Sequence, residues 1–294
     1  MTSPEHGRSP AATVLCTASA LVAFAANSVL CRLALGRAAI DAASFSTIRL
    51  ASGSLALLLL CQGLRSGPVG VRGNWRSAAL LFLYAVPFSF AYLSLSAGTG
   101  ALILFGSVQA TMLVAALGMG ERPHPLHWLG LTLALGGLVV LVLPGLQAPA
   151  PAGAVLMAVG GISWGIYSLR GRSPAGPLVE TTGNFIRALP LALAVSLLSV
   201  RHLHLSARGI LLAVISGAIA SGVGYVLWYA ALKGLSAARA ATVQLPVPVL
   251  VAAGGVIVLS ESVSLRLVAA AILILGGVAL ALAGRGRRGG LRSG

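Results

Sequence analysis

The sequence predicts an all-α membrane protein whose ten transmembrane helices fall into two five-helix repeats of inverted topology. Three observations predict it. Fifty-seven per cent of the 294 residues are hydrophobic and 9% charged, with a mean hydropathy of +0.97, an apolar excess that soluble domains do not carry. The apolar residues gather in segments of about 20, the length that crosses a hydrocarbon core. Finally, a shift of 140 residues lays the chain on itself without a gap: Leu95, Ser96, Ala97 and Ala101 fall on Leu235, Ser236, Ala237 and Ala241, Glu121 on Glu261, and Gly136-Gly137 on Gly276-Gly277. Leu, Ala and Gly coincide easily in such a chain. A glutamate does not, because only five residues are acidic.

Residues 1–10 are polar, carry Pro4 and Pro10, and read as a cytoplasmic lead. A cleaved signal is not expected, because the apolar run from Ala11 to Cys31 is of spanning length. Four more spans follow in the first repeat, residues 11–146: 43–63, 77–96, 98–119 and 126–146. The second repeat, 151–284, holds 152–169, 178–200, 208–232, 236–259 and 263–284. Breakers and charges separate them, as in Arg65 to Arg76 with Gly67-Pro68, Pro144 to Pro151 and Arg170 to Pro177. Residues 285–294 form a basic cytoplasmic tail, in which Leu291-Arg-Ser-Gly reads as a cloning scar.

Orientation follows from the cations. Placing the N-terminus inside assigns 13 Lys and Arg to cytoplasmic segments and five to external ones, so the positive-inside rule puts both termini in the cytoplasm. Five spans per repeat is an odd number, so the second half enters the membrane upside down. Inverted repeats are a common architecture of alternating-access transporters, with substrate at the midplane. A net charge of +15 would suggest nucleic acid in a soluble protein, but here the cations are spread through loops, and nucleic-acid binding is not expected. One lysine against nineteen arginines in an Ala- and Gly-rich chain hints at a GC-rich bacterial source, hence an inner-membrane location.

The midplane candidates are aromatic. Tyr84, Phe88 and Tyr92 recur at i, i+4 and i+8 on the third span, and Tyr225, Trp228 and Tyr229 share a face of the eighth. Phe24 and Trp164 correspond between the first and sixth spans, as do Asn27 and Tyr167. Tyr and Trp at membrane depth need a partner for their polar atom. Tyr84, Phe88, Trp164, Tyr167, Tyr225 and Trp228 therefore read as a cavity wall, with Asn27 beside them; Tyr92 and Tyr229, near helix ends, fit a cavity or an interfacial belt equally. Gln109, in the fourth span, and Gln244, about a turn and a half into the ninth and just ahead of Pro246 and Pro248, either brace a neighbouring helix or face substrate.

Charged residues have structural readings first. Arg49 and Arg187 occupy similar places in the two halves, close enough to helix ends to snorkel, with Glu180 two turns before Arg187. Glu121 and Glu261 are placed to cap the helices that follow them. No Asp or Glu lies near the middle of a span and all five histidines fall in loops or the lead, so no side chain is placed to shuttle a proton. Cys16, Cys31 and Cys61 have no metal-ligand spacing. No catalytic constellation, metal or cofactor is expected.

Ten spans in two halves, each with a small-residue hairpin, a Glu closing the fourth helix and a Gly-Gly in the fifth, resemble the drug/metabolite transporter superfamily. The match is to its EamA-type members over residues 11–284, and within them to the bacterial YddG-type exporters of aromatic amino acids. That resemblance implies a monomeric carrier exporting small metabolites, aromatic or apolar amino acids foremost. Phosphorylated metabolites or nucleotide-sugars are the cargo of other branches. A receptor or scaffold without a transport cycle is the alternative of a different class.

Overall fold

A computed structural model describes residues 10–63, 73–118, 125–142, 149–170, 177–232 and 243–286. Ten helices run through them: α1 (Pro10–Gly36), α2 (Ala42–Gly63), α3 (Trp75–Ala91), α4 (Ala97–Gly118), α5 (Pro125–Val142), α6 (Pro151–Arg170), α7 (Pro177–Leu198), α8 (Ala207–Leu232), α9 (Val247–Leu259) and α10 (Leu265–Gly286). Helices α1, α2, α6, α7 and α8 are long and apolar enough to cross a membrane, and the other five contribute shorter apolar stretches, such as Ala97–Met112 in α4. Leu55, Leu59, Leu197, Leu198, Ile257, Leu265 and Ile272 are exposed. So apolar an exterior suits hydrocarbon, where helices pack by shape and small residues.

Three boundaries differ from the sequence expectation. Helix α1 continues past Cys31 to Gly36. Helix α3 ends at Ala91 instead of running to 96, because its serines act locally: Ser94 N–H bonds the Ala91 carbonyl at 3.1 Å, and the Ser96 hydroxyl accepts the Thr99 N–H at 3.3 Å, capping α4. Ahead of α9, residues 244–246 form a turn, with Val247 N–H bonded to the Gln244 carbonyl at 3.0 Å. Pro246 and Pro248 lack the N–H groups that would carry a helix through.

The dominant packing runs between the first five helices and the last five. Helix α3 packs on α6 and α8 on α1; α4 packs on α6 and α9 on α1; α2 meets α7, α4 meets α9 and α5 meets α10. The α5–α10 contact depends on the second glycine of each Gly-Gly pair. A Cβ at Gly277 would lie 2.6 Å from the Gly130 carbonyl oxygen, and one at Gly137 2.8 Å from Ile274 and Leu273, whereas Gly136 and Gly276 face open space.

Where α1 ends, two inter-half ties close the bundle. The loop after α1 joins the one before α8: Asp41 N–H bonds the His204 carbonyl at 3.0 Å, Ser206 N–H bonds the Ala39 carbonyl at 3.1 Å, and Asp41 Oδ1 caps α2 at Ser44. Glu261 makes the second tie. Its Oε1 accepts Arg32 Nε at 2.9 Å, its Oε2 accepts the Ala97 N–H at 2.8 Å, and Arg32 Nη1 donates to the Tyr92 carbonyl at 2.9 Å. Glu261 therefore caps α4 of the opposite half and not the helix that follows it, whose first turn is met by the Ser264 hydroxyl. The electrostatics suit this, since the α4 N-terminus and a guanidinium share one carboxylate.

Candidate functional site

Helical spacing brings the aromatic residues to one place. On α3, Phe88 lies 5.4 Å from Tyr84 and 4.9 Å from Tyr92, ring centre to ring centre. Trp164, from α6, is the hub: it meets Tyr225 at 4.7 Å, Tyr84 at 5.0 Å, Phe24 at 5.5 Å and Tyr167 at 5.8 Å. Phe24 reaches Trp228 at 5.6 Å, and Tyr167 reaches Tyr229 at 6.2 Å. Phe185 of α7, which sequence reasoning missed, packs on Tyr225 at 5.6 Å. Its signal was in the spacing: Thr181, Asn184, Phe185 and Ala188 share one helical face in the sequence, and all four are buried.

The cluster draws on α1 and α3 from the first half and α6, α7 and α8 from the second. Tyr92 and Tyr229 are buried with the rest, so they do not form an interfacial belt. Edge-to-face and tilted contacts at these distances fit the ring quadrupoles. In this conformation the rings pack on one another between the helices.

Polar atoms thread the cluster. Asn27 Nδ2 donates to the Tyr84 hydroxyl at 3.2 Å, and Asn27 Oδ1 accepts from Ser216 at 2.7 Å and from Ser221 at 3.5 Å. Both serines lie in Ser216–Val223, where α8 widens to π-helical bonding. One wide turn puts residues five apart on the same face, a device frequent at functional sites. Gly217 lets this turn lie against α2, for a Cβ there would collide with Ser52 Oγ and the Arg49 carbonyl oxygen.

Arg49 departs from the sequence expectation. Two turns inside α2 and 1% exposed, it does not snorkel. Its guanidinium carbon sits 5.1 Å from the Tyr84 ring centre and 5.0 Å from that of Phe88. Nε donates to Ser221 Oγ at 3.1 Å and Nη2 approaches the Tyr225 hydroxyl at 3.5 Å. Nη1 has no hydrogen-bond partner among the described residues, and neither does Trp228 Nε1. Arg187 is half-buried, and its Nη1 donates to the Gly183 carbonyl of its own helix at 3.0 Å.

The remaining candidates divide. Asn184 links Tyr167 to the start of α3, donating to the Tyr167 hydroxyl at 3.4 Å and accepting the Asn74 N–H at 3.0 Å. Gln109 is buried on α4. Gln244 is buried too, but in the turn before α9, not inside a helix. Glu121 lies outside the described residues. Among the described residues no group of three His, Cys, Asp or Glu is placed to hold a metal ion.

Comparison with known proteins gives three findings. Residues 151–283 match the model of the EamA-like transporter family. An uncharacterized protein of Pseudomonas aeruginosa is 50% identical over 273 residues, spanning 93% of this chain and 95% of that one. A protein crystal structure shares the fold, with a TM-score of 0.66 at 21% identity over 93% of this chain and 98% of the other.

Proposed function

The chain belongs, through residues 151–283, to the EamA-like transporter family and is thus a multi-pass membrane transporter of small molecules, and from that premise we propose that it exports metabolites with an aromatic or apolar body, amino acids foremost. The observation that carries the reading is the cluster of buried rings contributed by both halves, from Phe24 and Tyr84 on one side to Trp164, Tyr225 and Trp228 on the other. A cargo ring that replaces the mutual contacts of these residues gains burial plus about 0.5–1.5 kcal/mol per ring pair. When the two halves rock apart, the same rings line the space between them.

The architecture behind this reading is ten spans, an inverted repeat of 11–146 on 151–284, and both termini in the cytoplasm of a bacterial inner-membrane protein. Its support is the reciprocal packing of α3 on α6 and α8 on α1, and of α4 on α6 and α9 on α1, which exchanges under a two-fold axis, together with the excess of cations in cytoplasmic loops. Substrate sits at the midplane between repeats. Transport is facilitative, because the spans place no Asp, Glu or His at mid-depth to carry a proton. Arg49 brings one cation to the cluster, short of the several that a phosphorylated cargo requires.

Counterflow in proteoliposomes tests the reading. Labelled phenylalanine and tryptophan exchange into vesicles preloaded with the unlabelled compound, faster than alanine does. An imposed pH gradient of about two units, worth roughly 2.7 kcal/mol per proton, leaves the final level unchanged. Accumulation above equilibrium under that gradient contradicts facilitative transport, and no exchange of any aromatic compound contradicts the cargo class.

A further inference from the structure

Resting on the carrier reading, we infer that Arg49 is the group that recognises cargo, that it does so through a carboxylate, and that an amine on the cargo is dispensable. A buried guanidinium carries five N–H donors and a charge that must be met. Around Arg49 the chain supplies one hydroxyl at 3.1 Å, a second at 3.5 Å and two ring faces. Among the described residues it supplies no carboxylate there. Of the acids in the described residues, Asp41 is engaged at the start of α2 and with the loop before α8, Glu261 is engaged by Arg32 and Ala97, and Glu180 lies in the first turn of α7.

A residue serving only to brace α2 against α8 would have its donors matched by the helices it joins. Instead Arg49 Nη1 and Trp228 Nε1, both buried in the ring cluster, lack acceptors among the described residues. These two atoms can only donate; the Tyr229 hydroxyl, the third such atom of the cluster, can donate or accept. A carboxylate answers the two donors with a single negative charge and two acceptor oxygens in the plane that a guanidinium matches. Arginine also keeps its proton at any physiological pH, so the site holds an anion without itself titrating. An ammonium group finds no carboxylate in the cluster and is repelled by Arg49. The cargo class is therefore the aromatic or apolar monocarboxylate, in which amino acids are included for their carboxylate and not for their amine.

The test uses the full-length protein, purified in micelles for binding and reconstituted in vesicles for flux, with four probes: phenylpyruvate, phenylalanine, phenethylamine and phenyl phosphate. Phenylpyruvate and phenylalanine are expected to bind about 30-fold or more tightly than phenethylamine, the scale of one lost buried charge pair, and phenyl phosphate more weakly than phenylpyruvate. Arg49→Gln is expected to weaken the two carboxylates by a similar factor and to leave phenethylamine binding no weaker, or tighter, since the like charge that repels its ammonium is gone, while Arg49→Lys restores part of the carboxylate affinity. Equal binding of phenylalanine and phenethylamine, or tightest binding of phenyl phosphate, overturns the inference. So does unchanged carboxylate affinity in Arg49→Gln, and so does no binding of any probe. If Arg49→Gln fails to fold, the probe series on the unaltered protein decides alone. Selective binding without flux upholds the Arg49 contact and sinks the carrier reading; flux without selectivity does the reverse.

Discussion

Two arginines of the first half, Arg32 and Arg49, show how differently one chain treats the same charge. Arg32, at the end of α1, has its charge met by an acid: Glu261 faces its Nε at 2.9 Å, the Tyr92 carbonyl faces its Nη1, and the same carboxylate caps α4. Arg49, deeper and less exposed, is surrounded by rings and hydroxyls and meets no acid among the described residues. The first arrangement is what a structural tie between halves requires. The second leaves a charge for something else to complete. Since a carrier must hold cargo and release it, the incomplete site belongs where cargo sits and the complete one where the halves are fastened.

Substitutions sharpen that contrast, beginning with the largest effect. Trp228→Ala removes a fully buried indole that packs on Phe24, at a cost of about 3–5 kcal/mol in packing. Counterflow of phenylalanine should fall much further than counterflow of alanine, and an equal fall for both assigns Trp228 to packing alone. Glu261→Gln strips the carboxylate from Arg32 while leaving the ring cluster intact. The protein should lose about 1–3 kcal/mol, the scale of a charged hydrogen bond left unmade, seen as a lower melting temperature in micelles with cargo affinity unchanged. Arg187→Gln is the smallest change. That guanidinium is half-buried and bonds its own helix, so stability should fall by about 0.5–1.5 kcal/mol, the scale of one hydrogen bond, and flux not at all; a clear loss of flux would place Arg187 in the cargo path.

The sequence made the ring-bearing faces legible because helical period is a local property: Tyr84, Phe88 and Tyr92 share a face whatever they pack against. The glutamate and Gly-Gly twins were visible too. Their roles were not. Glu261 reads locally as a cap for the helix beginning a few residues on, yet its partners, Arg32 and Ala97, are 229 and 164 residues away in the chain. Arg49 stands two turns from a helix end, which permits snorkelling. Only the approach of Ser221, 172 residues distant on a widened turn of α8, and of the Tyr84 and Phe88 rings shows that it points inward. Gln244 was misplaced for a related reason: its segment is apolar enough on average to read as one span, and hydropathy does not register that Pro246 and Pro248 interrupt the bonding ladder.

The contrast between the two arginines is tested most directly by melting the unaltered protein, Glu261→Gln and Arg49→Gln in micelles, each with and without phenylpyruvate. A ligand at about one hundred times its dissociation constant stabilises the state that binds it by roughly 2.7 kcal/mol. The account predicts that phenylpyruvate raises the melting temperature of the unaltered protein and, by a similar increment, of Glu261→Gln from its lower starting point, and that at the same concentration Arg49→Gln shows at most about a third of that rise, as a roughly 30-fold weaker site requires. An equal rise in Arg49→Gln would contradict it.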